Sequence, residues 1–91
     1  MTIYSAQHTL GTAAIVVVPP STQPQEVHLH NMTKSSNSYI HVGNADITLS
    51  NSIHIDPGED MVLNLMPSQS LYGISDPAGL TLGVLAIRKY L

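Results

Sequence analysis

The sequence predicts an all-β fold, a small antiparallel β-barrel or jelly-roll-like sandwich of seven to eight short strands. Two observations lead to this prediction. Apolar residues recur at every second position in short runs, which is the period of a strand with one buried face. Clusters of Gly, Pro, Asn, Asp and Ser separate these runs at spacings of about eight to twelve residues, as is typical of sandwiches and barrels.

The first quarter of the chain predicts an arm or edge strand, a short strand and a loop. Residues 2–10 alternate weakly up to Gly11, and residues 13–18 (AAIVVV) form a dense β-branched run. Such a run favours a strand buried on both faces, inside the domain or beneath a neighbouring chain. Residues 19–24 (PPSTQP) end it, because proline has no N–H for a ladder. We expect 1–91 to be a single β domain, with 1–25 forming an N-terminal arm and a Pro-rich loop.

Residues 39–65, YIHVGNADITLSNSIHIDPGEDMVLNL, contain the densest strand pattern. Short segments of alternating apolar and polar residues are separated by polar turns, so that each segment presents one apolar face. The strongest turn signal is DPGE at 56–59, since Pro presets φ at one corner and Gly accepts a positive φ at the next. The apolar sets expected on one face are Ile40 with Val42, Ile47 with Leu49, Ile53 with Ile55, and Met61 with Leu63 and Leu65.

Three further strands complete the pattern. Residues 26–31 (EVHLHN) alternate apolar residues with histidines, residues 71–74 (LYGI) are a short strand, and residues 80–87 (LTLGVLAI) are the last. A turn at 75–79 (SDPAG) precedes the last strand. The connection at 66–70 has room for at most one helical turn.

Composition favours a component of an assembly. The chain has three basic and six acidic residues and no Cys. A free monomer typically carries charge on about a quarter of its surface, so this low charge favours an obligate oligomer. Nucleic-acid binding is not expected without a basic face. No apolar run is long enough to span a membrane. Residues 1–10 (MTIYSAQHTL) lack the pattern of a secretory signal, so we expect none and expect synthesis in a cytoplasm.

The histidines are the best candidates for chemistry. His28 and His30 alternate on one strand and could chelate a metal from a sheet face, joined by His41 and His54 if their strands are neighbours. The alternative is that each histidine lies on the polar side of a half-buried strand. A cupin, a metal-dependent barrel enzyme, would need a Glu a few residues after the second histidine, and residues 31–35 (NMTKS) contain none. We expect no enzyme activity, no cofactor and no metal.

Two other groups could bind a ligand. Asp56, Glu59 and Asp60 share one turn and offer oxygen ligands to a cation, although a solvated turn is the simpler interpretation. The tyrosines could form a sugar-binding surface, or they could be core and interface residues. They are Tyr4, Tyr39, Tyr72 and Tyr90.

The central and C-terminal segments resemble small structural proteins of tailed bacteriophages. The matching pattern is Val42-Gly43-Asn44, then Pro57-Gly58-Glu59, then Leu71-Tyr72-Gly73-Ile74, then Ala78-Gly79. The resemblance implies a small β-barrel or jelly roll of the virion, such as a capsid cement (decoration) protein, often trimeric. It covers roughly the C-terminal half to two-thirds of the chain.

We therefore expect a capsid cement protein, a homotrimer that binds the major capsid protein and stabilises the shell on the virion surface. The alternative is a carbohydrate- or receptor-binding module of a phage tail or fibre. Exposed-looking apolar runs and the basic C-terminal end suggest the contact residues, which could equally belong to the core. These are Tyr4, Ile15, Val16, Val17, Val18, Pro19, Pro20, Pro24, Arg88 and Lys89.

Overall fold

The computed structural model describes residues 2–89, which form eight β-strands and no helix. None of these residues therefore forms a helix that could cross a membrane. The all-β prediction is confirmed. The strands are β1 (Thr2–Leu10), β2 (Ile15–Val18), β3 (Gln25–Asn31), β4 (Tyr39–Gly43), β5 (Ile53–Ile55), β6 (Asp60–Leu65), β7 (Leu71–Asp76) and β8 (Leu80–Arg88).

The strands form two four-stranded sheets. Sheet A has the order β1-β8-β3-β6 and sheet B the order β2-β7-β4-β5, and all neighbours are antiparallel. The first strand pairs with the last, the second with the seventh, the third with the sixth and the fourth with the fifth, as in one long hairpin rolled into two layers. This is the eight-stranded jelly roll.

The core lies between the sheets and is built by side-chain alternation. In β3, for example, Val27 and Leu29 are buried while His28 and His30 face outward. The one buried amide at the end of β3 is fully bonded, because Asn31 donates to the carbonyls of Ser38 and Ile55 at 2.7 and 3.0 Å. The core cluster comprises Leu10, Val17, Val18, Val27, Leu29, Ile40, Val42, Ile55, Leu65, Leu71, Leu80, Leu82, Val84 and Ala86.

The turns follow the sequence signals closely. Gly58 has φ of 73° and the N–H of Glu59 donates to the carbonyl of Asp56 at 3.0 Å, as a Pro-Gly β-turn requires. Gly79 has φ of 94° at the turn before β8. The 66–70 connection is a turn without a helix.

The expected strand at Ile47 and Leu49 is wrong. Residues 44–52, which we name the cover loop, leave β4 and fold back over the outer side of sheet B. Ile47 is only 9% exposed there, whereas Leu49 points into solvent. Gly43 makes room for this return, since a Cβ on Gly43 would lie 2.3 Å from Cγ2 of Ile47. Of the two alternating apolar residues, Ile47 is therefore buried as part of a loop, and Leu49 is exposed.

The N-terminal residues form an edge strand and not a free arm. Strand β1 pairs with β8 along its whole length, from Thr2 opposite Arg88 to Leu10 opposite Leu80. In the next run, residues 13–18, which we expected to be buried on both faces, Val17 and Val18 alone are buried, because the register shifts between Val16 and Val18.

Candidate assembly surface

The outer side of sheet A is an open four-stranded surface, which we name face A. Its side chains come from alternate residues of each strand, and the registers align them in rows across the sheet. One row runs from Ser5 through Leu85 and His28 to Val62. Neighbouring rows are Ile3, Ile87, Glu26 and Asn64 on one side, and Gln7, Gly83, His30 and Asp60 on the other.

Face A leaves large apolar side chains in solvent. Ile3 is 65% exposed, Val62 58% and Leu85 40%. Their strands are held in place by inward-facing core residues of the same strands, so these three outward side chains contribute little to the monomer core. Exposed apolar side chains that share one sheet face mark contact surfaces more often than singly scattered ones do.

A shallow hollow of about 440 Å³ lies at the centre of face A. It exists because Gly83 has no side chain, so the backbone forms its floor between His30 and Leu85. The Met32 side chain leans over the same glycine, with Sδ 3.2 Å from the position a Cβ would take. Methionine adapts its shape readily, so the hollow can accommodate an apolar group of a partner.

The two carboxylates of face A are each bonded to a histidine. Glu26 Oε2 lies 2.8 Å from His28 Nε2, and Asp60 Oδ1 lies 2.5 Å from His30 Nδ1. Lys89 Nζ also donates to Glu26 at 3.1 Å. These contacts, with His28 the largest and Lys89 the next, lower the pKa of Glu26. The acidic groups are thus held in fixed pairs, and Lys89 lies at one end of the surface.

The outer side of sheet B contains a second pair of histidines. His41 and His54 are register partners with ring centroids 5.7 Å apart, and Tyr39 meets His54 edge to face at 5.4 Å. His54 Nε2 lies 3.1 Å from Asp56 Oδ1.

His41 is held in one tautomer beneath the cover loop. The Ser52 hydroxyl donates to the carbonyl of Thr48 at 2.7 Å, so its oxygen accepts at 3.0 Å from His41 Nδ1, which must carry the hydrogen. Burial lowers the pKa of His41, and His54 lowers it further, while Asp76 acts in the opposite direction.

The four strand histidines do not converge on one site. His28 and His30 lie on sheet A, and His41 and His54 lie on sheet B. Within residues 2–89 no three His, Cys, Asp or Glu side chains come together as metal ligands would. The expected carboxylate group at the DPGE turn is also divided, since Asp56 contacts His54 while Asp60 contacts His30.

The three tyrosines in residues 2–89 lie apart from one another. Tyr4 is on β1, where its hydroxyl lies 3.3 Å from His8 Nε2. Tyr39 and Tyr72 are outward residues of sheet B in different rows. The fourth, Tyr90, is outside the described residues.

The predicted contact residues fall into an exposed set and a buried set. Ile15 and Val16 are 39% and 40% exposed at the edge of sheet B. Val17 and Val18 are fully buried, because the bulge turns both toward the core, and both belong to the core cluster, the other position that the sequence allowed for them.

The remaining predicted contact residues gather at one end of the sandwich. Arg88 donates from Nε to Gln25 Oε1 at 3.1 Å, and its guanidinium carbon lies 5.5 Å from the Tyr4 ring centroid. The backbone N–H of Lys89 donates to the carbonyl of Pro24 at 2.9 Å, and the carbonyl of Pro19 accepts from Gln25 Nε2. Pro20 is exposed beside them. Their role in binding stays a prediction.

Sequence reasoning missed face A. Its signal was present, because no Lys or Arg occupies an outward position of β1, β3 or β6. The sequence did not say that these strands lie side by side, so their exposed residues could not be combined into a surface.

Neither a family model nor a curated protein matches this chain. Among solved structures it is similar to a chain of Bacillus endospore appendages, which are described as a novel family of disulfide-linked pili. The TM-score is 0.68 at 14% identity, over 99% of this chain and 86% of the other. The two chains share a fold. This chain has no Cys.

Proposed function

We propose that this chain is a small non-enzymatic structural protein that works as part of a multi-copy assembly. The observation that carries the proposal is face A, where Val62 and Leu85 line a hollow that has no Lys or Arg in its lining, and Ile3 is exposed on the same face. Exposure of these apolar side chains to water is unfavourable in free energy, and their burial against a partner is favourable.

The similar pilus chain supports an assembly role for this jelly roll, and the composition supports it independently. Few charged residues cover the surface of so apolar a chain. This sequence has no Cys and so offers no disulfide to link copies or partners. Burial of face A supplies a non-covalent contact.

In its finer form, the proposal is a capsid cement protein of a tailed phage. Face A, with Ile15 and Val16 as a second patch, would bind the major capsid protein on the outside of the virion, and three copies would form a homotrimer. A protein that binds the assembled shell and not its free subunits stabilises the shell by its binding free energy at each site.

A carbohydrate- or receptor-binding module is the second candidate. The observation that favours it is the group of aromatic and carboxylate side chains on sheet B. Tyr39 lies opposite Asp76 and contacts His54, which is bonded to Asp56. Aromatic faces beside hydrogen-bonding carboxylates suit a sugar ring.

The test combines solution mass with co-sedimentation on capsids that lack the protein. We expect a multimer that rebinds shells, and a Val62→Asp/Leu85→Asp variant that folds but no longer binds. Leu49→Asp is the matched control, because Leu49 is 52% exposed on the cover loop, away from face A. Equal loss in both variants would contradict a specific role for face A. Binding to host glycans without binding to shells would favour the second candidate.

A further inference from the structure

Strand β1 presents a long free edge at the side of sheet A. It is the end strand of that sheet, and its nine residues pair with β8 alone. In the described chain, residues 2–9 make no backbone hydrogen bond to any other turn or loop. Half of the N–H and C=O groups of β1 therefore face outward from the sheet.

The other edge strands are protected in ways that β1 is not. Strand β2 is bulged and runs into Pro19, and β5 has three residues. Strand β6 begins at Asp60 and ends two residues before Pro67. Bulges, prolines, charges and shortness all discourage edge pairing. Strand β1, TIYSAQHTL, has no Asp, Glu, Lys, Arg or Pro.

We propose that β1 pairs antiparallel with β1 of a second copy, about a two-fold axis at Ala6, so that two copies of sheet A form one eight-stranded sheet. Centring the pair on Ala6 lets all nine residues overlap, which gives the longest ladder that the strand allows. Two-fold contacts of this kind are the commonest in homo-oligomers.

The side chains of β1 suit this register. Ser5 lies opposite the partner's Gln7, and Ile3 opposite the partner's Thr9, which brings a β-branched pair together on face A. On the other side of the strand, Tyr4 lies opposite the partner's His8. These two residue types already bond within one copy at 3.3 Å. No like charges meet anywhere along the ladder.

This inference rests on the proposed assembly role but uses a different contact. It extends face A across two copies, with Ile3 of each copy near the junction, and leaves Val62 and Leu85 free to bind a partner. A chain with this contact alone is a dimer. A chain that also forms a trimer is a hexamer, so the mass is an even multiple of one chain in both cases.

A single cysteine tests the register. Directly opposed residues of an antiparallel pair have Cα atoms about 4.5–5.5 Å apart, within the range of a disulfide. Because the chain has no Cys, an Ala6→Cys variant should form a covalent dimer under mild oxidation. In the matched control Thr9→Cys, the two sulfurs would lie about 20 Å apart and should not link. No link at position 6, or an equal link at both positions, overturns the proposed pairing.

Charge variants test the contact without a covalent bond. Ser5→Lys/Gln7→Lys places four lysines at the centre of the pair, so the solution mass should fall to half. Ser5→Glu/Gln7→Lys places opposite charges across the axis and should keep the wild-type mass. Both positions are exposed, so circular dichroism should report an unchanged fold.

These results separate the two proposals. If the double-lysine variant keeps the wild-type mass, or if the wild-type mass is an odd multiple, pairing through β1 is wrong, while shell binding can still support the assembly role. If the mass of the double-lysine variant is half that of the wild type but the wild type does not bind shells, β1 pairing stands and the cement proposal fails.

Discussion

On sheet B, the outward side chains of His41 and Ile74 lie buried beneath the cover loop, whereas on sheet A the outward side chains lie in the open. Ile74 on sheet B is 4% exposed, and Val62 on sheet A is 58% exposed. Both are β-branched residues on the outside of the same sandwich. The outer face of a sheet therefore supports the fold where the chain itself covers it, and is available for binding where the chain does not.

The largest expected effect comes from shortening the covered side chain. Ile74→Ala should lower the free energy of unfolding by about 2–4 kcal/mol, since it removes buried methyl groups. Val62→Ala should change it by less than about 0.5 kcal/mol, as for most exposed positions. Urea denaturation of both variants measures the difference. Equal losses would mean that face A is covered in solution.

A smaller effect is expected from a methyl group placed under the cover loop. Gly43→Ala brings a Cβ to within 2.3 Å of Ile47 Cγ2, so the loop must shift, at a loss of about 1–3 kcal/mol. The matched change on face A is Gly83→Ala, where the neighbouring atom is Sδ of the exposed Met32 side chain at 3.2 Å. Met32 can move aside, so thermal melting should show a clear loss for the first variant and little change for the second.

The smallest expected effect concerns pH. The pKa of His41 is lowered in the folded chain, first by burial and then by His54, so the unfolded chain takes up this proton at a higher pH. The free energy of unfolding should therefore fall as the pH drops from about 6.5, the ordinary histidine value, through the folded pKa.

Denaturation at pH 7.5 and 5.0 checks this prediction. His41→Gln removes the titrating ring while its amide can still donate to Ser52, so the variant should lose less stability on acidification than the wild type. A wild-type and a variant profile that run parallel would show that His41 does not contribute.

Much of the fold could be predicted from local patterns. Alternation in β3, β6 and β8 and the turn at Pro57-Gly58 were sufficient, because each reflects geometry over a few residues. Ile47 and Leu49 were wrongly assigned to a strand, because two apolar residues separated by one polar residue can occur in a loop as well as in a strand. The inward turn of both Val17 and Val18 depends on a bulge, which no local pattern marked.

The candidate surface was less accessible to prediction. Face A depends on β1, β8, β3 and β6 lying side by side, and these pairings join residues as distant as Thr2 and Arg88. Strand order is fixed by long-range contacts. The alternation of histidines in β3 was visible in the sequence. The pairing of His28 with Glu26 and of His30 with Asp60 was not.

The position of β8 between β1 and β3 also determines when the protein can fold during synthesis. Strand β8 is the last described strand, yet it is the partner of the first. Until β8 leaves the ribosome, β1 has no partner in sheet A, and β3 can pair with β6 alone. The nascent chain thus leaves the backbone of β1 unpaired until β8 has emerged, and an unpaired strand edge of this kind is prone to aggregate and is where a chaperone would act.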